Sequence, residues 1–428
     1  MGKPVIDVHV IGGGLAGLSA ALALSDAGAR VRLYEASPNF GGRCRSFHDP
    51  LLDREIDNGG HVVLSSNEDA FAYLDRIGAR GELVGIVPAN FPFLDLATGE
   101  RWSIRPNAGP IPWWIMAPGR RVPGTRPADY SEALQLYFAG DTARVADRLD
   151  PDGPLYKALW EPLATAVLNT DPREAAARPL AAMLARTFGR GEAACRPFVA
   201  ANGLSRAFVD PALSELAKAG VTVESGMPLD AVRMARGRVE ELAFAGTEID
   251  CRRACVVLAV PPHALARLVP DIGAPADMSP IVNAHYRLDG PVALPGGQRL
   301  LGLIGGTAQW LIARDDVVSV TVSAADALVD RPPEALAALL WRDVASALGL
   351  PPLPVPPART IKERRATLRL TPAQDNRRPG TVTAALNLFL AGDWTQTGVP
   401  PTIEGAIRSG RRAAQAILQG HPPDQAGA

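Results

Sequence analysis

Lysine is scarce in this chain of 428 residues: only Lys3, Lys157, Lys218 and Lys362 occur, so arginine carries nearly all the positive charge. The 44 basic residues are matched by 45 acidic ones, for a formal net charge of −1. A nucleic-acid partner held by a general basic surface is therefore not expected. Cysteine is sparse too. Cys44, Cys195, Cys251 and Cys255 form no C-x-x-C pair and keep no zinc-ligand spacing with histidine, which argues against a disulfide scaffold or a structural metal. Long apolar runs are also missing. The most apolar stretch, Val10 to Leu24, carries four glycines and ends at Asp26, too short to span a bilayer. No basic segment followed by a cleavage site opens the chain, so no secretory signal is expected. Apolar residues as a whole are plentiful: 47% hydrophobic against 21% charged provides a large core, rules out intrinsic disorder and, at this length, suggests two or three domains.

The first residues carry the clearest pattern. Val8 to Ile11 reads as a short buried strand, Gly12 to Gly17 as a glycine turn, and Leu18 to Ala27 as a helix stopped by Gly28. Val31 to Glu35 reads as a second strand, completing a βαβ unit that implies a parallel sheet. Gly12-Gly13-Gly14-Leu15-Ala16-Gly17 matches G-x-G-x-x-G. Gly12 permits the tight turn, Gly14 lets backbone approach a pyrophosphate, and Gly17 lets helix pack closely on strand. Glu35 follows 18 residues beyond Gly17, where a carboxylate can accept both ribose hydroxyls and would repel a 2′-phosphate, against NADP. Gly41-Gly42-Arg43 comes next, and a second glycine pair with a guanidinium near the pyrophosphate favours FAD. Asp57-Asn58-Gly59-Gly60-His61 offers a wall almost free of side chains for a flat ring system, or merely a hairpin turn.

Later segments complete the set. Val221 to Glu224 and Ala254 to Val260 read as strands; Leu388 to Leu390 is an apolar strand running into Ala391-Gly392-Asp393. Asp393 can bond a ribityl hydroxyl. Thr402 to Leu418 reads as a helix introduced by Pro400-Pro401, and its positive end suits the flavin N1/C2 carbonyl edge. Residues 76–204 and 271–384 are richer in proline, tryptophan and amphipathic helices such as Pro179 to Phe188 and Pro333 to Leu348. The expected organisation is a doubly wound, Rossmann-like α/β domain of residues 1–75, 205–270 and 385–428. An α+β substrate domain of residues 76–204 and 271–384 is inserted into it.

Together these segments resemble the flavin amine oxidase and phytoene desaturase superfamily over essentially the whole chain. Asn387 to Gly410, Arg101-Trp102-Ser103, Pro112-Trp113-Trp114, Trp160-Glu161-Pro162-Leu163 and Asn283-Ala284-His285-Tyr286 resemble, more narrowly, its squalene-associated branch, the hydroxysqualene dehydroxylases. The resemblance implies non-covalent FAD and a hydrophobic C30 isoprenoid substrate. It also implies reductive loss of a hydroxyl to give squalene for hopanoids, in a bacterial cytoplasm at the inner face of the membrane, with the reductant open. A desaturase-like or amine oxidase-like flavoenzyme and a non-catalytic FAD- or polyprenyl-binding protein remain the alternatives. The candidate cofactor residues are Gly12, Gly14, Leu15, Ala16, Gly17, Glu35, Ala36, Gly41, Gly42, Arg43, Asn58, Gly59, Gly60, Met227, Gly392, Asp393, Thr402 and Ile403. No metal is expected. Amine oxidases of this family carry an aromatic residue where Thr402 stands, one of a pair that cages the amine, so the resemblance departs from them there. His61 is the candidate acid for the leaving hydroxyl or, equally, a histidine bonded at a turn. Trp113, Trp114 and His285 are candidates for the substrate pocket, with the core left open as the other reading of each. The tryptophans, with Arg120 and Arg121 beside them, read equally well as a membrane edge.

Overall fold

The computed structural model describes residues 5–420, so the outer ends of the first and last expected segments lie outside it. Its five-stranded sheet is parallel throughout, in the order Thr222–Glu224, Arg30–Tyr34, Asp7–Ile11, Ala254–Leu258, Leu388–Leu390. Every residue of Ala254–Leu258 and Leu388–Leu390 is buried, the continuous apolar pattern of strands covered on both faces. The helix after the first strand runs Leu15–Asp26 and begins three residues earlier than the glycine pattern suggests. Gly14 is its N-cap, so Gly17 lies inside the first turn, where a Cβ would stand 1.8 Å from the Gly12 carbonyl oxygen. The C-terminal helix Ile403–Leu418 packs on the same helix. There a Cβ at Gly410 would stand 2.0 Å from the Ala16 carbonyl oxygen, and Ser19 Oγ donates to the Ile407 carbonyl at 2.8 Å. Buried on nearly all sides, the N-terminal helix lacks a polar face, which explains its membrane-like hydropathy.

A second sheet has seven strands, ordered Ala358–Leu368, Met278–Arg287, Val317–Val322, Trp310–Arg314, Leu300–Ile304, Phe91–Asp95, Arg101–Ile104. Pairing is antiparallel except between Leu300–Ile304 and Phe91–Asp95. Helix Pro333–Leu348 brings Leu336, Leu340, Trp341 and Val344 into its core, and Tyr286 Oη donates to the Ala337 carbonyl at 2.7 Å. A third, mostly helical core gathers Trp114, Tyr130, Trp160 and the helix Ala177–Arg186. Ile77, Ala79 and Leu83 pack into the core of the parallel sheet.

A buried ionic seam joins helix Glu68–Arg76 to the C-terminal helix. Arg408 donates to Asp69 at 2.7 Å and to Glu404 at 2.8 Å, and the Ala70 amide donates to Glu404 at 2.9 Å. Burial pushes the Glu404 carboxyl up; the Ala70 amide bond opposes it, the Asp69 charge adds to it and the Arg408 charge opposes it. The seam fixes the position of the Thr402 turn.

Candidate functional site

The glycine motif ends at an uncapped helix. Gly14 has extended backbone and no side-chain cap, and the first turn of Leu15–Asp26 holds no acidic residue. The amides of Leu15, Ala16 and Gly17 thus face outward with the positive end of the helix dipole behind them. A Cβ at Gly14 would meet nothing within 4 Å, whereas Gly12 and Gly17 are hemmed in by backbone. Gly14 therefore borders open space of the kind a pyrophosphate needs. The Gly41 amide donates to the Gly13 carbonyl at 2.8 Å, bringing the second glycine pair alongside the first. Gly41 and Gly42, with φ of 95° and 59°, hold conformations that favour glycine.

Glu35 stands at the end of the second strand. One carboxylate oxygen accepts the Gly13 amide at 2.7 Å and the other accepts the Ser37 amide at 2.8 Å. A carboxylate has about four acceptor positions, so the two amides orient the group and leave room for two ribose hydroxyls. The Met227 amide donates to the Glu35 carbonyl at 2.9 Å, placing Met227 beside Glu35 and Ala36.

At the other end, Arg43 Nη2 donates to Asp393 at 2.6 Å, and Nη1 donates to the Ala366 carbonyl. The loop carrying Asp393 is shaped by Arg378, a residue no motif singles out. Its buried guanidinium donates to the carbonyls of Asp393, Thr395 and Val399, to Thr397 Oγ1 and to the Asp375 carboxylate. The Gly392 amide donates to Ser409 Oγ at 2.7 Å. Thr402 Oγ1 accepts the Gly405 amide at 3.3 Å and caps the C-terminal helix, with Ile403 as its first residue.

The strip Asn58-Gly59-Gly60 lies over the seven-stranded sheet. Buried Asn283 holds it from below: its side-chain amide donates to the Asn58 carbonyl at 3.4 Å, and its oxygen accepts the Gly60 amide at 3.4 Å and Thr321 Oγ1 at 2.9 Å. A Cβ at Gly60 would stand 2.5 Å from Thr321 Oγ1, so glycine is needed for this close approach. Asp57 is fully engaged by Ser46, the Leu204 amide and Arg314. His61 is half-buried and makes no side-chain hydrogen bond among the described residues. Burial lowers its pKa from the ordinary value; Asp57 opposes the shift and Arg43 adds to it. A second imidazole, exposed His263, is lowered by desolvation and then by the charges of Arg365 and Arg43.

The three candidate pocket residues sit in different surroundings. His285 is 1% exposed, and its Nδ1 pairs with Ser319 Oγ at 2.8 Å. Burial lowers it to about 4, so it is a neutral group packed in the sheet, with Nε2 buried and without a hydrogen-bond partner among the described residues. The adjacent tryptophans part company. Trp114 is 6% exposed, edge-on to Tyr130 and tilted against Phe188, and belongs to the core. Trp113 is 64% exposed. A 3₁₀ turn at Trp113–Met116 turns successive side chains to opposite sides.

Residues 15–418 match the family model described as flavin containing amine oxidoreductase. The chain belongs to the flavin-containing amine oxidoreductase family. Hydroxysqualene dehydroxylase of Sinorhizobium fredii is 44% identical over 413 residues, 96% of this chain and 98% of that protein. The enzyme of the same name from Zymomonas mobilis is 40% identical over 411 residues, again 96% and 98%. Among solved structures, wild-type putrescine oxidase bound to putrescine aligns with TM-score 0.68 at 17% identity, covering 97% of this chain and 100% of that one. Cyclohexylamine oxidase from Brevibacterium oxydans aligns with TM-score 0.67 at 17% identity, covering 97% and 99%. These two likenesses show the fold.

Family membership makes FAD the cofactor, and the residues present fit it. An uncapped helix N-terminus beside the open space at Gly14, a carboxylate held by two amides, and a strip with no side chain at Gly59 and Gly60 match its three parts. Thr402, at the amine oxidase cage position, is committed to capping a helix.

Proposed function

We propose that this flavoenzyme removes the hydroxyl of hydroxysqualene reductively, giving squalene for hopanoid biosynthesis. The observation that carries the reading is identity of 40–44% to three hydroxysqualene dehydroxylases over 96% of the chain. The balanced reaction is hydroxysqualene plus reduced FAD to squalene, water and FAD. When bound, reduced FAD would supply the hydride that replaces the hydroxyl at the allylic carbon.

The protein's own residues have three tasks. Outward amides at Leu15 to Gly17 and the Glu35 carboxylate bind the cofactor; Arg43 and Asp393 fasten the two ends of the chain around it. Asn283 and Thr321 fix the height and tilt of the Gly59-Gly60 strip, and so the place of His61. His61 is the polar group next to that strip whose ring nitrogens are not committed elsewhere, and we assign it the proton delivered to the leaving oxygen.

The same reading extends to organisation and place. We assign residues 1–75, 205–270 and 385–428 to cofactor binding and 76–204 with 271–384 to the substrate; supporting this, all five parallel strands fall in the first set. A C30 isoprenoid dissolves in bilayers, so we place the enzyme at the inner face of the bacterial cytoplasmic membrane. The test is a single turnover: enzyme reduced chemically without oxygen is mixed with hydroxysqualene, and the extract is analysed for squalene. Flavin reoxidation matched by squalene supports the reading. Reduced flavin unchanged by hydroxysqualene, or oxidised flavin bleached by primary amines, would overturn it.

A further inference from the structure

Among the described residues no helix is long and apolar enough to cross a membrane, yet one face is built from side chains that water solvates poorly. Trp113, Met116 and Ile111 are 64%, 60% and 55% exposed within one short segment. Val87, 58% exposed, lies across an open groove of about 770 Å³ whose other wall includes Ala108, Arg105 and Arg120. Exposed apolar groups gathered in this way mark an interaction surface.

Glu192, also on this groove, is paired with Arg196, and within the segment itself the charge is one-sided. Residues 101–128 contain five arginines and no acidic residue. Arg105 donates to the Gly119 carbonyl, Arg120 to the carbonyls of Arg105 and Pro106, and Arg121 to the Ile115 carbonyl. Arg101, Arg105, Arg120 and Arg121 have no carboxylate within ion-pair distance among the described residues, whereas most other arginines are paired. Backbone carbonyls aim the guanidiniums of Arg105, Arg120 and Arg121 but leave their charges unneutralised.

We propose that this face, centred on Trp113 and rimmed by Arg101, Arg105, Arg120 and Arg121, is a docking surface for an anionic lipid bilayer. An indole, a thioether and a branched chain suit the headgroup boundary, and unpaired guanidiniums suit lipid phosphates and carboxylates. The complementarity is to a broad anionic surface, because Arg101 with Arg105 and Arg105 with Arg120 line two open grooves instead of all closing on one point. The proposal rests on the reading that the substrate is a bilayer-dissolved isoprenoid, and it supplies the side from which that substrate arrives.

The test uses flavin-loaded full-length protein floated with vesicles of phosphatidylcholine alone or with 30% phosphatidylglycerol, both free of substrate. The protein is expected to float with the anionic vesicles and not with the neutral ones, and to be released by raised salt. Trp113→Ser should weaken flotation about tenfold or more, and Arg101→Gln about fivefold, with melting temperature and flavin content unchanged. Squalene formation by Trp113→Ser should fall when hydroxysqualene is supplied in anionic vesicles and stay normal when it is supplied in detergent micelles. Equal flotation by Trp113→Ser and the parent, or no flotation of the parent, overturns the proposal. So does a concentration-dependent dimer that Trp113→Ser dissolves, which would make the face a contact between copies. Anionic-vesicle binding with no squalene formed under any condition would sink the dehydroxylase reading alone and leave the docking surface standing.

Discussion

Arg43 Nη2 lies 2.6 Å from Asp393 Oδ1, joining side chains 350 positions apart in the chain. Asp393 is the more enclosed partner, 7% exposed against 38% for the Arg43 side chain. Removing the arginine therefore strands a carboxylate, while neutralising the carboxylate leaves Arg43 its bond to the Ala366 carbonyl. Arg43→Met should cost about 2 kcal/mol of stability and most of the FAD affinity; Asp393→Asn should cost about 1 kcal/mol. Thermal melts of the apoprotein with flavin titrations decide the order. Equal melting temperatures for the two variants would count against the pairing.

The glycine motif divides between ligand and fold. Gly14→Val places its side chain in open space, so the apoprotein should melt normally while FAD binding is lost. Gly17→Ala drives a methyl into the Gly12 carbonyl, so it should destabilise the apoprotein by about 3 kcal/mol or prevent folding. Far-ultraviolet dichroism and flavin content, measured on both variants, separate the roles. A Gly14→Val protein that retains full FAD would remove the pyrophosphate from that space.

Asn283 and Thr321 offer a test of the flavin wall. Thr321→Val keeps the shape but deletes the donor to the Asn283 oxygen at 2.9 Å, leaving that oxygen short of a partner at a cost of about 1 kcal/mol. Gly60→Ala is harsher, since its methyl would meet Thr321 Oγ1. In both variants the visible flavin spectrum and reduction potential should shift with FAD still bound. The double variant Gly60→Ala with Thr321→Ser keeps the hydroxyl and should recover little. An unchanged spectrum in all three would show that the strip is not the flavin's neighbour.

The parallel sheet was legible because its strands and glycine turns are local patterns: strands expected at Val8, Val31, Val221, Ala254 and Leu388 appear within two residues of those starts. The C-terminal helix was legible from Pro400-Pro401 for the same reason. What sequence does not carry is which face a residue takes in an irregular turn. Trp113 and Trp114 are chemically identical neighbours, and only the 3₁₀ geometry sends one to solvent and the other to Tyr130. Arg378 left no signature because most of its acceptors are backbone carbonyls, which any residues provide. Asn283 was visible as a motif but its partner strip lies 225 residues away, a distance that only tertiary pairing bridges. For His285 sequence leaves core and cavity open, because only the strand pairing brings Ser319 opposite it.

The protonation of His61 gives the last prediction its sign. Its pKa lies below the ordinary 6.5, first because the ring is withdrawn from water and then because Arg43 disfavours a second positive charge, with Asp57 pulling the other way. At neutral pH most molecules therefore hold a neutral ring, and only a minor imidazolium fraction can donate its proton. If that proton goes to the departing hydroxyl, the single-turnover rate should climb as pH falls and level off below the depressed value. Solvent D₂O should slow it. His61→Gln should lower the rate about 100-fold and erase the acidic rise while FAD stays bound. A pH profile identical in His61→Gln and the parent would take His61 out of the proton path.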